Sequence, residues 1–259
     1  MRRVQEAYLR DPPSQKLDKF FDDLFSEALQ CVNESYQWPT TSQTSGVTVR
    51  QKPRQNDHDH KILQRSSVHS EVTYDQLREL LFVNHSLNET KYVELMVEAK
   101  ELFALSSQHN NKNTPKQAAG GGAGTGGAAG VYWLGFKATL ASSREFIELV
   151  ATREQKDETN GLREFFVVSK PVEPTNLRPV RNYVRGCYEA WERVRELQDG
   201  EVEWTCIQRS DPGGWVPRCL SDWIIAKEFH KDVGSIIHYI AENNTKKSSH
   251  MNDSATKVH

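Results

Sequence analysis

Imidazole and carboxylate are the groups that hold zinc, and His58-Asp59-His60, with His69 and His85 further along, brings several into one part of the chain. Their spacing matches no standard zinc pattern, and the first three lie in the polar stretch 51 to 60. The sequence therefore predicts no metal site. Neither a Gly-x-Ser-x-Gly elbow nor a local cysteine signature occurs, so no catalytic residue is assigned; a cysteine-histidine site assembled from distant residues stays open. Gly122-Ala123-Gly124-Thr125-Gly126-Gly127 matches the dinucleotide fingerprint in form alone. That fingerprint needs a strand before it and a helix after it, whereas polar residues precede it here and the strand-like Val131-Tyr132-Trp133-Leu134 follows. No cofactor is predicted. Two features with chemical content remain, Arg185 and the turn Asp211-Pro212-Gly213-Gly214 with Arg209 just upstream. In the turn, proline presets φ at the first corner and a following glycine accepts the positive φ of a type II turn.

These features hang on elements that the periodicity makes visible. Leu17, Phe20, Phe21, Leu24, Phe25 and Ala28 recur at helical spacing, which predicts a helix from about Ser14 to Asn33. Thr73 with Gln76, and Ser86 with Glu89, form capping-box patterns. Each opens an apolar stripe, Tyr74-Leu77-Leu80-Leu81 and Tyr92-Met96-Ala99-Phe103, so two more helices are expected. About seven strands follow from β-branched and aromatic runs: Val47 to Arg50, Lys61 to His69, Val131 to Ala138, Phe146 to Arg153, Glu164 to Lys170, Tyr183 to Val194 and Val202 to Ser210. A last helix carries Trp223, Ala226, His230, Val233, Ile237 and Ile240 on one face. Short connections between successive strands imply an antiparallel sheet in an α+β domain, one face of which covers the terminal helix.

Composition narrows the function classes. The 259 residues hold 33 basic and 35 acidic side chains, a formal net charge of -2, which provides no field to gather nucleic acid. No run of about 18 apolar residues exists and the start turns polar at once, so neither a spanning segment nor a signal peptide is predicted. The expected location is cytoplasmic. Residues 106 to 130 hold seven of the 15 glycines and no large apolar residue, and are expected to form a disordered Gly/Ala-rich insertion. The domain should span 14 to 242, with a disordered tail over 243 to 259.

The segment Trp204 to Pro217 resembles the last strand, Asp-x-x-Gly-x-Leu/Val-Pro turn and final-helix entry of START (StAR-related lipid transfer) domains. Ser143-Arg144-Glu145-Phe146 is similar to that family's Pro-Arg-Asp-Phe, Phe166 to Pro171 to a central strand, and Tyr183-Val184-Arg185-Gly186 to its Val-Arg-Gly strand. A nearer resemblance is to an uncharacterised, largely fungal family of START-like domains. Its hallmarks appear as Arg65-Ser66-Ser67-Val68-His69, Asn84-His85-Ser86-Leu87-Asn88-Glu89, Ser169-Lys170-Pro171 and Arg209-Ser210-Asp211-Pro212-Gly213-Gly214. The resemblance covers about Leu17 to Ile240.

What it implies is the helix-grip fold, a curved antiparallel sheet wrapped around a long C-terminal helix, enclosing an apolar cavity for one lipid or other hydrophobic small molecule. Binding without chemistry, transfer between membranes through transient contact, and no nucleic-acid partner follow from it. Strand alternation groups Arg185 with Tyr183, Cys187, Glu189 and Trp191 and leaves open which face that is. By the resemblance, Arg185 faces the cavity with Tyr183 and Cys187, Trp204 adds to it, and Trp223, Val233, Ile237 and Ile240 form the helical wall. In some relatives an acid on an adjoining strand pairs with this arginine, and Val131 to Ala138 offers none. Two rival readings are a helix-grip cyclase or hydrolase acting on an aromatic or polyketide-like substrate, and an interaction domain whose cavity is filled by Trp133, Tyr183, Trp191 and Trp204. Ionisable residues at inward strand positions would mark the first.

Overall fold

The computed structural model describes residues 1–11, 14–56, 59–105, 127–137, 142–214, 229 and 233–245. A short strand β1 (Val4–Gln5) and helix α1 (Glu6–Arg10) come first, with Leu9 buried, so the folded unit takes in residues ahead of position 14. In α2 (Ser14–Ser35) the predicted stripe is buried through Leu17, Phe21, Leu24, Phe25 and Ala28 and extends to Val32. After β2 (Thr40–Thr44), β3 (Val47–Gln51) and β4 (Leu63–His69) the chain turns helical at α3 (Tyr74–Leu77), which runs into one π-helical turn over Arg78–Phe82. Thr73 caps α3 in the predicted box: its hydroxyl accepts from the Gln76 backbone N–H, and the Gln76 side chain accepts from the Thr73 N–H.

The second capping box does not form. Helix α4 (His85–Glu89) is headed by Asn84 in the left-handed region at φ 51°, and Ser86 is buried inside it. The stripe expected to continue as helix is instead β5 (Met96–Leu105). Register shifts between Met96 and Glu98 and between Glu101 and Phe103 mark two bulges. Extra residues at bulges place the less exposed positions Met96, Ala99, Phe103 and Leu105 three, four and two apart, and a strand thereby imitates helical spacing.

The remaining strands are β6 (Ala129–Phe136), β7 (Ser143–Lys156), β8 (Arg163–Glu173), β9 (Tyr183–Arg185), β10 (Cys187–Glu196) and β11 (Val202–Asp211), followed by helix α5 (residues 233–245). Eleven strands, against about seven expected, join one curved sheet in the order β2-β3-β4-β11-β10-β8-β7-β6-β5. All pairs along that path are antiparallel, while β1 lies parallel to the end of β8 and β9 parallel to the start of β7. Strand β6 claims Ala129 and Gly130 from the expected insertion, of which 106–126 lie outside the described residues, as do 246–259 of the expected tail.

Alternation divides the sheet's side chains between two cores. On β7, Ile147, Leu149 and Ala151 join the stripe of α2 on the outer face, with Trp133, Phe166, Val168 and Trp191. Val150 points the other way, with Phe165, Val167, Val194, Val202 and Trp204, against Phe229, Val233, Ile236 and Ile240. The inner face thus grips the C-terminal helix, and the outer face carries the N-terminal one.

Candidate functional site

The inner face is not wholly apolar. Cys206 on β11 is flanked in register by Arg65 on β4 and Glu192 on β10, so these three side chains share the inner face. By the same parity Tyr188 and Glu148 point inward. A cavity of about 40 Å³ opens there, bounded by this face, by Leu81 and His85 of the helical crossover and by Ile236 of α5. Such a volume holds a few water molecules at most.

Each polar group lining it is placed by its own element. Trp204 lends its ring N–H to Glu192 Oε2 at 2.9 Å. His85, at the start of α4, donates from Nδ1 to the Leu81 carbonyl at 2.8 Å, because a carbonyl oxygen only accepts. Its Nε2 then faces Glu89 at 3.6 Å and Glu192 at 3.9 Å. Tyr188 donates to Gln208 Oε1 at 3.2 Å; burial, then the neighbouring Cys206 and carboxylates, pushes its hydroxyl well above the ordinary range. Burial, and next the charge of Glu89, pushes the Glu148 carboxyl well above its usual range. Arg65 is 3% exposed, and its Nε and Nη1 have no hydrogen-bond partner among the described residues. Its guanidinium carbon instead lies 3.8 Å from the Trp204 ring centre and 5.3 Å from that of Phe229. Among the described residues two π faces hold the cation.

The structure brings together part of the expected site. Trp204, Val233 and Ile240 are buried in the inner core and Ile237 packs against it. Trp223 lies outside the described residues. Arg185, Tyr183 and Cys187 share a face as alternation requires, yet that face is the outer one, a correction to their expected place in the cavity. Tyr183 packs edge-on against Trp133 at 5.7 Å in the α2 core, and Cys187 Sγ accepts from Arg3 Nε at 3.2 Å. Arg185 does have an acid, on β7 rather than β6: Glu145 Oε1 accepts from Arg185 Nε at 2.6 Å. The other oxygen of Glu145 accepts from Trp133 Nε1 at 2.8 Å and from the Val180 backbone N–H at 3.1 Å. Parallel pairing of β9 with β7 sets Arg185 opposite Glu145, a contact between strands distant in sequence.

The turn residues serve geometry. Asp211 Oδ1 accepts from the Gly213 N–H at 2.9 Å, and Gly213 and Gly214 have φ of +66° and +67°. A Cβ on Gly213 would meet the Arg185 carbonyl at 2.4 Å, so only glycine permits that approach. Arg209 binds Glu189, which also accepts from Lys170 Nζ at 2.7 Å on the outer face. Of the histidines considered for metal, His60 lies 3.6 Å from Asp211, His69 bonds Ser67 and Glu71, both at 2.8 Å, and His58 is outside the described residues. Among the described residues no group of three or more ligating side chains could hold a metal ion, and no helix is long and apolar enough to cross a membrane.

Arg65, His85, Glu89 and Glu192 are the site residues that motif reasoning did not select, although the first three lie in the quoted segments Arg65-Ser66-Ser67-Val68-His69 and Asn84 to Glu89. The available signal was an arginine in mid-strand between Leu63-Gln64 and Ser66-Ser67, where no solvent-facing alternation accounts for it.

A family model described as "Protein of unknown function (DUF3074)" matches residues 63–240. No curated protein matches. Among solved structures, human STARD10 superposes with a TM-score of 0.67 at 13% identity over 90% of this chain and 84% of its own. Human StAR-related lipid transfer protein 5 gives 0.67 at 14% identity, over 89% of this chain and 99% of its own. The lipid transfer and protein localization domain of human StarD13 (DLC2) gives 0.53 at 17% identity, over 83% and 93%. At such identities the likeness is one of fold.

Proposed function

Because the chain belongs to the DUF3074 family and folds as the START domains do, we propose that it binds one hydrophobic ligand between the inner sheet face and α5, without chemistry, and delivers it through transient membrane contact. The observation that carries this reading is the position of the cavity, at the seam where α5 meets the sheet. In its closed state the seam admits no lipid, so loading needs a second state in which α5 moves away. Among the described residues the contact to be broken buries Phe229, and Val233, Ile236 and Ile240 of α5. Trp204, Val233, Ile237 and Ile240 would then line the bound apolar body, with Trp223 added by resemblance. Arg185, Tyr183 and Cys187 buttress the far side of the sheet. Apolar burial at roughly 25 cal/mol per Å² drives the binding. The neighbours named for lipid transfer support this reading, as does a charge balance that offers nucleic acid no attraction, and a cytoplasmic carrier fits both.

The enzymatic rival asks for ionisable groups at inward strand positions, and Arg65, Glu148, Tyr188 and Glu192 occupy such positions. Their geometry favours charge neutralisation over nucleophile activation: His85 spends Nδ1 on a carbonyl and turns Nε2 toward two carboxylates. Native mass spectrometry of the full chain after incubation with mixed lipid vesicles, followed by extraction, tests the proposal. The expected spectrum holds a protein carrying one hydrophobic molecule; a protein that takes up none would overturn the proposal.

A further inference from the structure

We infer that Arg65 is an anion-binding residue of this cavity, and that the ligand is an acidic amphiphile, an apolar body ending in a carboxylate or phosphate group. The inference rests on the binding function proposed above and names its ligand class. A guanidinium taken out of water needs a compensating partner, since an isolated buried charge is costly. Elsewhere in this molecule that need is met by carboxylates: Arg185 has Glu145, Lys170 and Arg209 share Glu189, Arg193 reaches Tyr36 at 3.3 Å and Glu203 at 3.6 Å, and Arg78 has Glu154 at 2.8 Å. Arg65 alone among these is more than nine-tenths buried with donor nitrogens left over and, among the described residues, no carboxylate within ion-pair distance.

Its surroundings hold it in place without satisfying it. Trp204 and Phe229 offer ring faces, which attract a cation yet supply no lone pair to its N–H groups. Glu192, two strands away on the same face, is engaged at the indole edge, by the Trp204 ring N–H, while Arg65 lies over the indole face. The two carboxylates nearest the cavity, Glu89 and Glu192, are gathered around His85 on the side of the helical crossover. A negatively charged head entering between sheet and α5 therefore meets a desolvated guanidinium with free donors, the setting in which carboxylate and phosphate bind by charge-assisted hydrogen bonds. Phe229 shares the inner core with Val233, Ile236 and Ile240 of α5. Displacing that wall exposes Arg65 at the moment of loading.

The experiment compares two probes of equal chain length, oleate and oleyl alcohol, titrated against the full-length protein by calorimetry. Inorganic phosphate alone and dodecyl phosphate are run beside them. The expected result is preference for the acid over the alcohol by roughly ten- to hundredfold, the worth of a charged hydrogen bond. Dodecyl phosphate should bind as oleate does, and inorganic phosphate should not, because the apolar body supplies most of the affinity. Arg65→Met should abolish the preference and leave alcohol binding in place; Arg65→Lys should restore part of it. The acid-alcohol comparison on the unaltered protein stands whether or not the variants fold. Equal binding of acid and alcohol would overturn the role of Arg65 while leaving the cavity proposal intact. Inorganic phosphate binding as tightly as dodecyl phosphate would make the site a free-anion site and overturn the amphiphile. Failure of both oleyl probes and dodecyl phosphate to bind would remove the cavity proposal itself, and this inference with it.

Discussion

The two faces of the sheet bury charge in opposite ways. On the outer face, under α2, Glu145 is fully buried and accepts from Arg185, Trp133 and the Val180 backbone, while Glu189 is shared by Lys170 and Arg209. On the inner face Arg65 has aromatic rings for company and leaves Nε and Nη1 without a hydrogen-bond partner among the described residues, and burial pushes the Glu148 carboxyl well above its usual range. The strands are the same and alternation assigns consecutive residues to opposite faces, so the difference lies in what each face packs against. The outer face meets its charges with carboxylates, although Gln64 Nε2, Trp191 Nε1 and Arg193 Nε there have no hydrogen-bond partner among the described residues. On the proposed binding function, the inner face keeps some of its polar groups in reserve for a ligand, at a cost in stability.

The largest effect should come from breaking an outer pair. Glu145→Ala strands Arg185 and removes the acceptor of a buried indole N–H, and a loss of about 3–5 kcal/mol in urea unfolding is expected. A loss below 1 kcal/mol would mean the outer network is decorative and the contrast false. Second comes Glu148→Gln on the inner face. The folded carboxyl titrates above its unfolded value, so both states are protonated at low pH and no penalty applies there. As pH rises past the ordinary carboxylate range the unfolded state ionises first, and the wild type loses stability until the folded carboxyl also ionises. The variant should therefore gain over wild type at pH 7.5 and not at pH 4. A gain of equal size at both would assign the effect to packing. Third, Thr73→Ala removes the cap of the crossover that roofs the inner face and should cost about 1 kcal/mol by thermal unfolding. The smallest change in apo stability belongs to Arg65→Met. Relief of an unpaired buried charge offsets the lost stacking of about 1–2 kcal/mol on Trp204, leaving a net shift within about 1 kcal/mol. A drop as large as that of Glu145→Ala would erase the distinction between the faces.

Local period made much of this fold legible. The α2 stripe, the Thr73 box, the long strands and the Asp211 to Gly214 turn are written within a few residues of themselves, and the resemblance carried by Trp204 to Pro217 supplied the way the sheet closes on the helix. What alternation cannot supply is the identity of a face. Tyr183, Arg185 and Cys187 were correctly grouped and placed on the wrong side, because the acid that draws Arg185 outward lies forty residues away on β7. The stripe Tyr92 to Phe103 was misread for a different reason: two bulges gave a strand the spacing of a helix. Arg65 was visible only as part of a polar strand, since its meaning depends on Trp204, Phe229 and Glu192 arriving from three other places in the chain.

Trp204 holds an ion on its face and another at its edge, with Arg65 at 3.8 Å and Glu192 at 2.9 Å. Excitation moves electron density across an indole, so the colour of its emission reports the electric field of fixed charges beside it. An acidic head that neutralises Arg65 would remove the nearer positive source and leave the negative one, turning that field. The Trp204→Phe difference spectrum of the loaded and empty protein isolates the one ring concerned from the five other tryptophans. The molecule carries its own optical gauge of occupancy, mounted on the strand that joins the two charges.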